Sequence, residues 1–213
     1  NITSKINGFI ANEYLRPILS AKKSAFNLRE VMDQKKILLV NLAKGRIGDI
    51  NANLLGMLIV GKLLMSALSR VDMEEDQRND FYLYIDEFQN FTTDSIATIL
   101  AEARKYRLDL NIANQFIKQL NEKIRDAVFG NVGSMAVFRV GADDAEFLKN
   151  QFEPVFTPQD LLNIDNFNCY VKLLINNQTT RPFNIKIDPP PKDDRMLAAQ
   201  VKEMSRLKYS VPN

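Results

Sequence analysis

Phe81-Tyr82-Leu83-Tyr84-Ile85-Asp86-Glu87 is the segment best suited to chemistry. An apolar run of strand length ends in two adjacent carboxylates. A buried strand of a parallel sheet would deliver Asp86 to the carboxyl edge, where ligands bind in α/β folds. There Asp86 can hold a Mg²⁺ ion through water, because that cation keeps much of its hydration shell. Glu87 is placed to orient or deprotonate an attacking water. This is the Walker B pattern. The same residues also suit a buried strand whose exit is capped by two solvated acids, and the segment alone does not choose.

Two more positions follow at telling distances. One helix and one strand fit between Asp86 and Gln115, so Gln115 should leave the neighbouring strand at the same sheet edge. An amide there can sense a γ-phosphate or the attacking water; it can equally open the next helix at the surface. Arg104 and Lys105 close the intervening helix, where a basic pair also compensates a helix C-terminus.

The elements that must position these groups are legible as hydrophobic patterns. Residues 1–34 read as helices, with Asn27 capping a short one. Ile37–Leu42 reads as a buried strand. Asn51–Arg70 is a helix apolar on every side, which means a core helix or a membrane span. Lys62 in its middle favours the core. Phe81–Asp86 is a strand, and Thr92 or Thr93 caps a helix to about Tyr106. A strand over Leu108–Ala113, a helix over Ile117–Phe129 and a strand over Ser134–Val140 come next. Helices follow over Ala142–Phe152 and Pro158–Leu162, the latter capped by Thr157. Asn168–Asn176 and Arg181–Ile187 are strands of a hairpin turning at Asn176-Asn177. A Pro189-Pro190-Pro191 linker leads to an amphipathic helix over Arg195–Lys208. Strands alternating with helices imply βαβ units: an α/β fold with a mostly parallel sheet flanked by helices, and an antiparallel edge hairpin.

Composition narrows the chemistry. The chain has 213 residues, 46% hydrophobic and 25% charged, enough for a substantial core. It contains no histidine, which excludes Ser-His-Asp and Cys-His catalysis and His-bearing metal sites within this chain. Its one cysteine, Cys169, makes no internal disulfide, as expected of an intracellular chain. A formal net charge of +2 selects no partner by itself.

Three segments in order resemble the conjugative coupling proteins of type IV secretion, DNA-pumping ATPases related to the FtsK and HerA translocases. They are Asp86-Glu87-Phe88-Gln89-Asn90-Phe91, Ala101-Glu102-Ala103-Arg104-Lys105-Tyr106-Arg107-Leu108 and Ala113-Asn114-Gln115-Phe116-Ile117-Lys118-Gln119-Leu120. Leu39–Gly48, Val137–Ala145 and Arg181-Pro182-Phe183 resemble flanking parts of that family. The resemblance implies a RecA-like P-loop NTPase fold, a hexameric ring, and ATP with Mg²⁺ driving DNA through a central pore. It makes Asp86 and Glu87 the Walker B pair, Asp86 the water-mediated Mg²⁺ ligand, Gln115 the reader of nucleotide state, and Arg104 an arginine finger toward a neighbour's ATP. Arg139 occupies a recurring basic position without an assigned role. Relaxosome or secretion-channel proteins are the implied partners. The implied location is cytoplasmic, at the inner membrane where an N-terminal anchor exists.

A phosphate-binding Gly-x-x-x-x-Gly-Lys-Ser/Thr loop is missing. Gly56-Met57-Leu58-Ile59-Val60-Gly61-Lys62-Leu63 comes nearest, but Leu63 lacks the hydroxyl and the intervening residues suit a helix. The expected organisation is therefore a helical segment over 1–34, the C-terminal half of an ATPase core over 35–188, and a linker with its helix over 189–213. Such a fragment should not turn over ATP alone. Glu102 to Arg125 carries six basic residues against three acidic ones, including Lys118 and Lys123, and Lys44 and Arg46 add two cations in a loop. These could face DNA phosphates, a solvated surface or a subunit interface. A different class of function also fits: a non-catalytic module that docks a relaxosome protein or a secretion substrate.

Overall fold

The computed structural model describes residues 12–93, 96, 100 and 102–210. They form two compact units, one running up to Asn114 and including the C-terminal helix, the other Gln115–Asp194.

In the first unit, β1 (Phe81–Ile85) pairs in parallel with β2 (Leu108–Ile112), Phe81 opposite Leu108 and Ile85 opposite Ile112. The helix Asp49–Leu68 packs beside them. It buries Ala52, Gly56, Val60, Leu63, Leu64 and Ala67, a stripe at helical spacing. That stripe lies against the helix Leu28–Asp33 and the turn Phe88–Phe91. Leu58 and Met65 on other faces are exposed, so the expected all-round burial does not hold. The helix is long and apolar enough to cross a membrane, yet its buried stripe serves this unit's core. Asn27 caps Leu28–Asp33 as expected, accepting from the Arg29 N–H at 2.8 Å.

Two expectations fail here. β1 is not buried along its length: Ile85 is buried and Phe81 and Leu83 are half-buried, while Tyr82 and Tyr84 point outward. Side chains alternate across a strand, and one face of this pair carries no covering helix among the described residues. Ile37–Leu42 forms no strand, and Ile37 and Leu39 are largely exposed. An apolar run becomes a strand only where a sheet edge accepts its backbone hydrogen bonds. The helix expected from Thr92 or Thr93 to Tyr106 falls partly outside the described residues; of those described, Ile96, Leu100 and Glu102 are helical. Its described end, Ala103–Tyr106, is a 3₁₀ turn closed by Arg107 in the left-handed region.

A buried guanidinium organises the N-terminal ends of both strands. Arg70 is 0% exposed. Its Nε donates to Asp33 Oδ1 at 3.0 Å, and its Nη1 donates to the carbonyls of Asn79 (2.9 Å) and Tyr106 (3.0 Å). Asn79 leads into β1 and Tyr106 into β2, so one side chain sets the two strand entrances level. Burial pushes the Arg70 guanidinium down, and Asp33 opposes that shift. Asp33 also takes Arg29 Nε, and its carbonyl accepts from Asn79 Nδ2 at 2.8 Å. Arg78 donates to the carbonyls of Arg70 and Met73 and lies over the Tyr106 ring.

The second unit is built around Ile117, Val137, Ala145, Leu148, Phe152, Leu161 and Ile164. β3 (Met135–Val137), β4 (Asn168–Lys172) and β7 (Phe183–Lys186) form an antiparallel sheet in the order β3-β4-β7. The expected turn at Asn176-Asn177 is present, both residues at positive φ, but the expected two strands are broken: β5 (Leu174–Ile175) and β6 (Gln178–Thr179) pair at the tip, and β4 with β7 below it. The expected mostly parallel sheet is corrected: among the described residues only β1 and β2 pair in parallel. Periodicity marks a strand but carries no information about its direction.

Helices Ala142–Phe152 and Pro158–Leu162 stand where the sequence put them. The helix expected over Ile117–Phe129 is a 3₁₀ turn at Ile117–Gln119 and then a helix over Glu122–Asn131. Asn121 separates them as the N-cap, accepting from the Ile124 N–H at 2.9 Å. The helix Arg195–Tyr209 has no buried residue, and Tyr209 meets Phe26 edge-on at 5.9 Å.

Two stability predictions follow from these contacts. Asp33→Ala leaves Arg70 buried without its counter-charge and should cost roughly 3–5 kcal/mol, read from the urea midpoint of the chain. At Thr157 the backbone N–H and the hydroxyl both donate to Asp160 Oδ2 at 2.7 Å, holding that carboxyl below its ordinary range. The stabilisation is present above the ordinary carboxylate pKa and lost as pH falls through the lowered folded value. Asp160→Asn should remove this contribution to the acid dependence of the melting temperature.

Candidate functional site

Asp86 and Glu87 leave the carboxyl end of β1 in a tight turn. Glu87 adopts left-handed backbone at φ 52°, and its N–H donates to Asp86 Oδ1 at 2.9 Å. This holds one Asp86 oxygen against the turn. Gln89 Nε2 donates to Glu87 Oε2 at 2.5 Å, which fixes the direction of the second carboxylate. The ladder carries on past both strands: Ala113 N–H donates to the Ile85 carbonyl and Phe88 N–H to the Ala113 carbonyl, each at 2.9 Å.

Phe88 and Phe91 anchor this turn in the core, both buried. Gly56 makes room for Phe91: a β-carbon there would stand 2.2 Å from Phe91 Cε1. Gly56–Leu63 lies wholly inside the helix Asp49–Leu68, so its glycine serves packing and its backbone N–H groups cannot form a phosphate cradle. The Gln89 Oε1 atom is buried with no hydrogen-bond partner. Nothing in the residue pattern marks it.

Arg104 sits in the turn Ala103–Tyr106, exposed, ahead of β2. That is the opposite end of the strand pair from Asp86. Five residues at about 3.3 Å each separate the two ends by about 16 Å. Arg104 therefore cannot serve Asp86 of its own chain. β2 ends at the same edge as β1, and the chain continues through Ala113 and Asn114 to an exposed Gln115, the first residue of the second unit.

The expected basic positions are distributed over both units. Lys44 and Arg46 are exposed on the short helix Lys44–Ile47 of the first unit. Lys118 and Lys123 belong to the second. Lys118 makes an ion pair with Asp143, which holds the ammonium above its ordinary range and offsets its charge. Asp144 beside it is buried, and its Oδ2 accepts from the Ile117 N–H at 3.2 Å. Lys123 is exposed on the helix Glu122–Asn131. Arg139 follows β3 and donates to Asn166 Oδ1 at 3.2 Å. Among the described residues no group of three or more Asp, Glu or Cys side chains could cage a metal ion.

No protein-family model and no curated protein matches the chain. Solved structures do. The unbound bacterial conjugative coupling protein TrwBΔN70 superposes with a TM-score of 0.56 at 16% identity, over 71% of this chain and 40% of that one. The plasmid coupling protein TrwB in complex with ADP and Mg²⁺ gives 0.53 at 18%, over 64% and 37%. The genome packaging NTPase B204 from Sulfolobus turreted icosahedral virus 2, in complex with AMPPCP, gives 0.52 at 12%, over 86% and 93%. The fold resembles that of conjugative coupling proteins, in line with the sequence motifs. The chain spans about two fifths of the coupling-protein length it matches.

Gly56→Ala should drive Phe91 out of its seat and loosen the turn that carries Glu87. A loss of about 1–3 kcal/mol is expected, as for overpacked cores, measured by chemical denaturation. Gly61→Ala, where a β-carbon meets nothing within 4 Å, is the matched control and should not destabilise the helix.

Proposed function

We propose that this chain is the C-terminal half of the core of a hexameric, DNA-translocating ATPase of the coupling-protein type. The core, residues 35–188, draws on both units. The observation that carries the reading is the Asp86-Glu87 turn at the carboxyl end of a parallel strand, in a fold similar to those of nucleotide-bound NTPases.

The residues present fit part of a nucleotide site. Asp86 has one oxygen committed to the Glu87 N–H, and its carboxylate is exposed at the sheet edge. That suits a cation held through water, the usual manner for Mg²⁺. Glu87, oriented by Gln89, is the group to align and deprotonate a water. ATP with Mg²⁺, when bound, would supply the phosphoryl group that water attacks. Gln115 would report nucleotide state. Arg104, about one strand length from Asp86, would act on the ATP of a neighbouring subunit. The phosphate cradle has to come from residues other than these 213. Lys44, Arg46, Lys118 and Lys123 are the candidate DNA-facing cations, Lys118 the weakest because Asp143 already pairs with it. The setting is the cytoplasm, with relaxosome or secretion-channel proteins as partners.

A second reading, a non-catalytic docking module, draws support from the helix Arg195–Tyr209, which leaves Leu197, Val201, Met204 and Leu207 exposed. Capture of a relaxosome or secretion protein that survives alanine at both Asp86 and Glu87 would favour it.

The 213-residue chain should show no magnesium-dependent ATP hydrolysis. Turnover abolished by Asp86→Asn would overturn the view that the cradle lies elsewhere. In a protein that joins these residues to a phosphate-binding loop, Glu87→Gln should lower kcat by about 10²–10⁴ and leave nucleotide binding intact. An unchanged kcat would remove Glu87 from the chemistry.

A further inference from the structure

Gln89 lies in the 3₁₀ turn Phe88–Phe91 that follows Glu87 at the carboxyl end of β1. Two buried rings bracket it in the chain, Phe88 just before it and Phe91 just beyond Asn90. The Asn90 N–H donates to the Glu87 carbonyl at 2.9 Å, and Thr92 Oγ1 donates to the Gln89 carbonyl at 3.3 Å. The Phe88 N–H is taken by the Ala113 carbonyl beyond β2, also at 2.9 Å. The backbone beneath the amide is therefore held on both sides, and Gly56 admits the Phe91 ring that seats it.

The orientation of the amide follows from its partner. An ionised carboxylate only accepts, so the end that meets Glu87 Oε2 is the donor Nε2, at 2.5 Å. The reverse orientation would set two acceptors against each other. Oε1 then faces the interior, where it is buried and meets no donor among the described residues. A buried acceptor without a donor costs free energy, because its water is lost and nothing replaces it. A methionine, equally long and unbranched, would fill the same space without that penalty. Packing alone therefore disfavours an amide at this position. What the amide adds is the bond to Glu87.

That bond matters to a base on this turn. Glu87 is half-buried on left-handed backbone at φ 52°, and its side chain is long and flexible. An unheld glutamate spreads over several rotamers. A reacting group displaced by about 1 Å can lose about a hundredfold in rate.

We infer that Gln89 is a positioning residue for water activation, retained at a cost in stability. Gln89 itself takes no proton. As the water oxygen bonds to phosphorus and the bond from phosphorus to the departing nucleoside diphosphate oxygen breaks, the water's proton passes to the Glu87 carboxylate, which Gln89 holds in line. The inference deepens the reading of Glu87 as that base and rests on it. It carries a signature that a structural role does not: the apolar variant is at least as stable and yet slower.

The first readout needs no nucleotide. In the 213-residue chain, Gln89→Met should leave the urea midpoint unchanged or raise it. In a protein that joins these residues to a phosphate-binding loop, Gln89→Met should lower kcat about ten- to a hundredfold and keep KM for ATP within about twofold. Gln89→Asn, whose amide is one methylene short, should slow turnover in the same way. Gln89→Leu serves where the methionine variant does not fold. Added to Glu87→Gln, Gln89→Met should have no further effect, since Gln89 acts through Glu87. Full kcat in Gln89→Met beside a slowed Glu87→Gln overturns this inference alone. A lowered urea midpoint, or the same loss repeated in the Glu87→Gln background, overturns it too. Full kcat in Glu87→Gln overturns the reading of Glu87 itself, and the role of Gln89 with it.

Discussion

Arg70 is the constraint on which the first unit depends. A fully buried guanidinium is costly unless its charge and most of its donors are met; here Nη2 has no partner among the described residues. Asp33 meets the charge, and the carbonyls of Asn79 and Tyr106 meet two of its N–H directions. Those carbonyls belong to the segments entering β1 and β2, so satisfying one side chain fixes the relative height of two strands. The parallel register, Phe81 opposite Leu108, follows from that levelling. Arg29 and Arg78 strengthen the same knot through Asp33, Asp72 and the carbonyl of Arg70.

The far end of the same strand pair carries the Asp86-Glu87 turn. Because the strands start level they end level, and β1 delivers Asp86 at the edge where β2 also stops. The left-handed turn at Glu87 is stabilised by Asp86 within the turn and by Phe88 and Phe91 beneath it. Gly56 connects this turn to the long helix by allowing the Phe91 ring to lie against the helix backbone. A residue first noticed as part of a failed phosphate-loop pattern is therefore a packing glycine. Arg104 lies one strand length away, in the turn that enters β2, and cannot reach Asp86 of its own chain.

The second unit shows why counting charges along the chain misjudges a binding surface. Lys118 contributes to the basic run in sequence, yet Asp143 lies 25 residues on and pairs with it. Arg139 stands outside that run, donates to Asn166 Oδ1 and makes no ion pair among the described residues. Sequence neighbours define the run; the fold decides which cations are neutralised.

Much of the local structure was legible because its causes are local. Thr157 with Pro158 and Asp160 specifies a helix start, Asn176-Asn177 specifies a two-residue turn, and Ala142–Phe152 shows a clear helical stripe. The Asp-Glu pair after an apolar strand was legible for the same reason, and so was the absence of a phosphate loop within these residues. What failed depended on distant partners. Ile37–Leu42 has strand composition but no edge to pair with, and β3 runs antiparallel because β4 lies beside it. By itself the sequence determined which residues can cap, turn, stripe or carry charge, since those depend on neighbours within a turn or two. Only the tertiary structure decided strand direction, the burial of Arg70 and the pairing of Lys118. Each of these is set by groups tens of residues apart that meet only when the chain closes on itself.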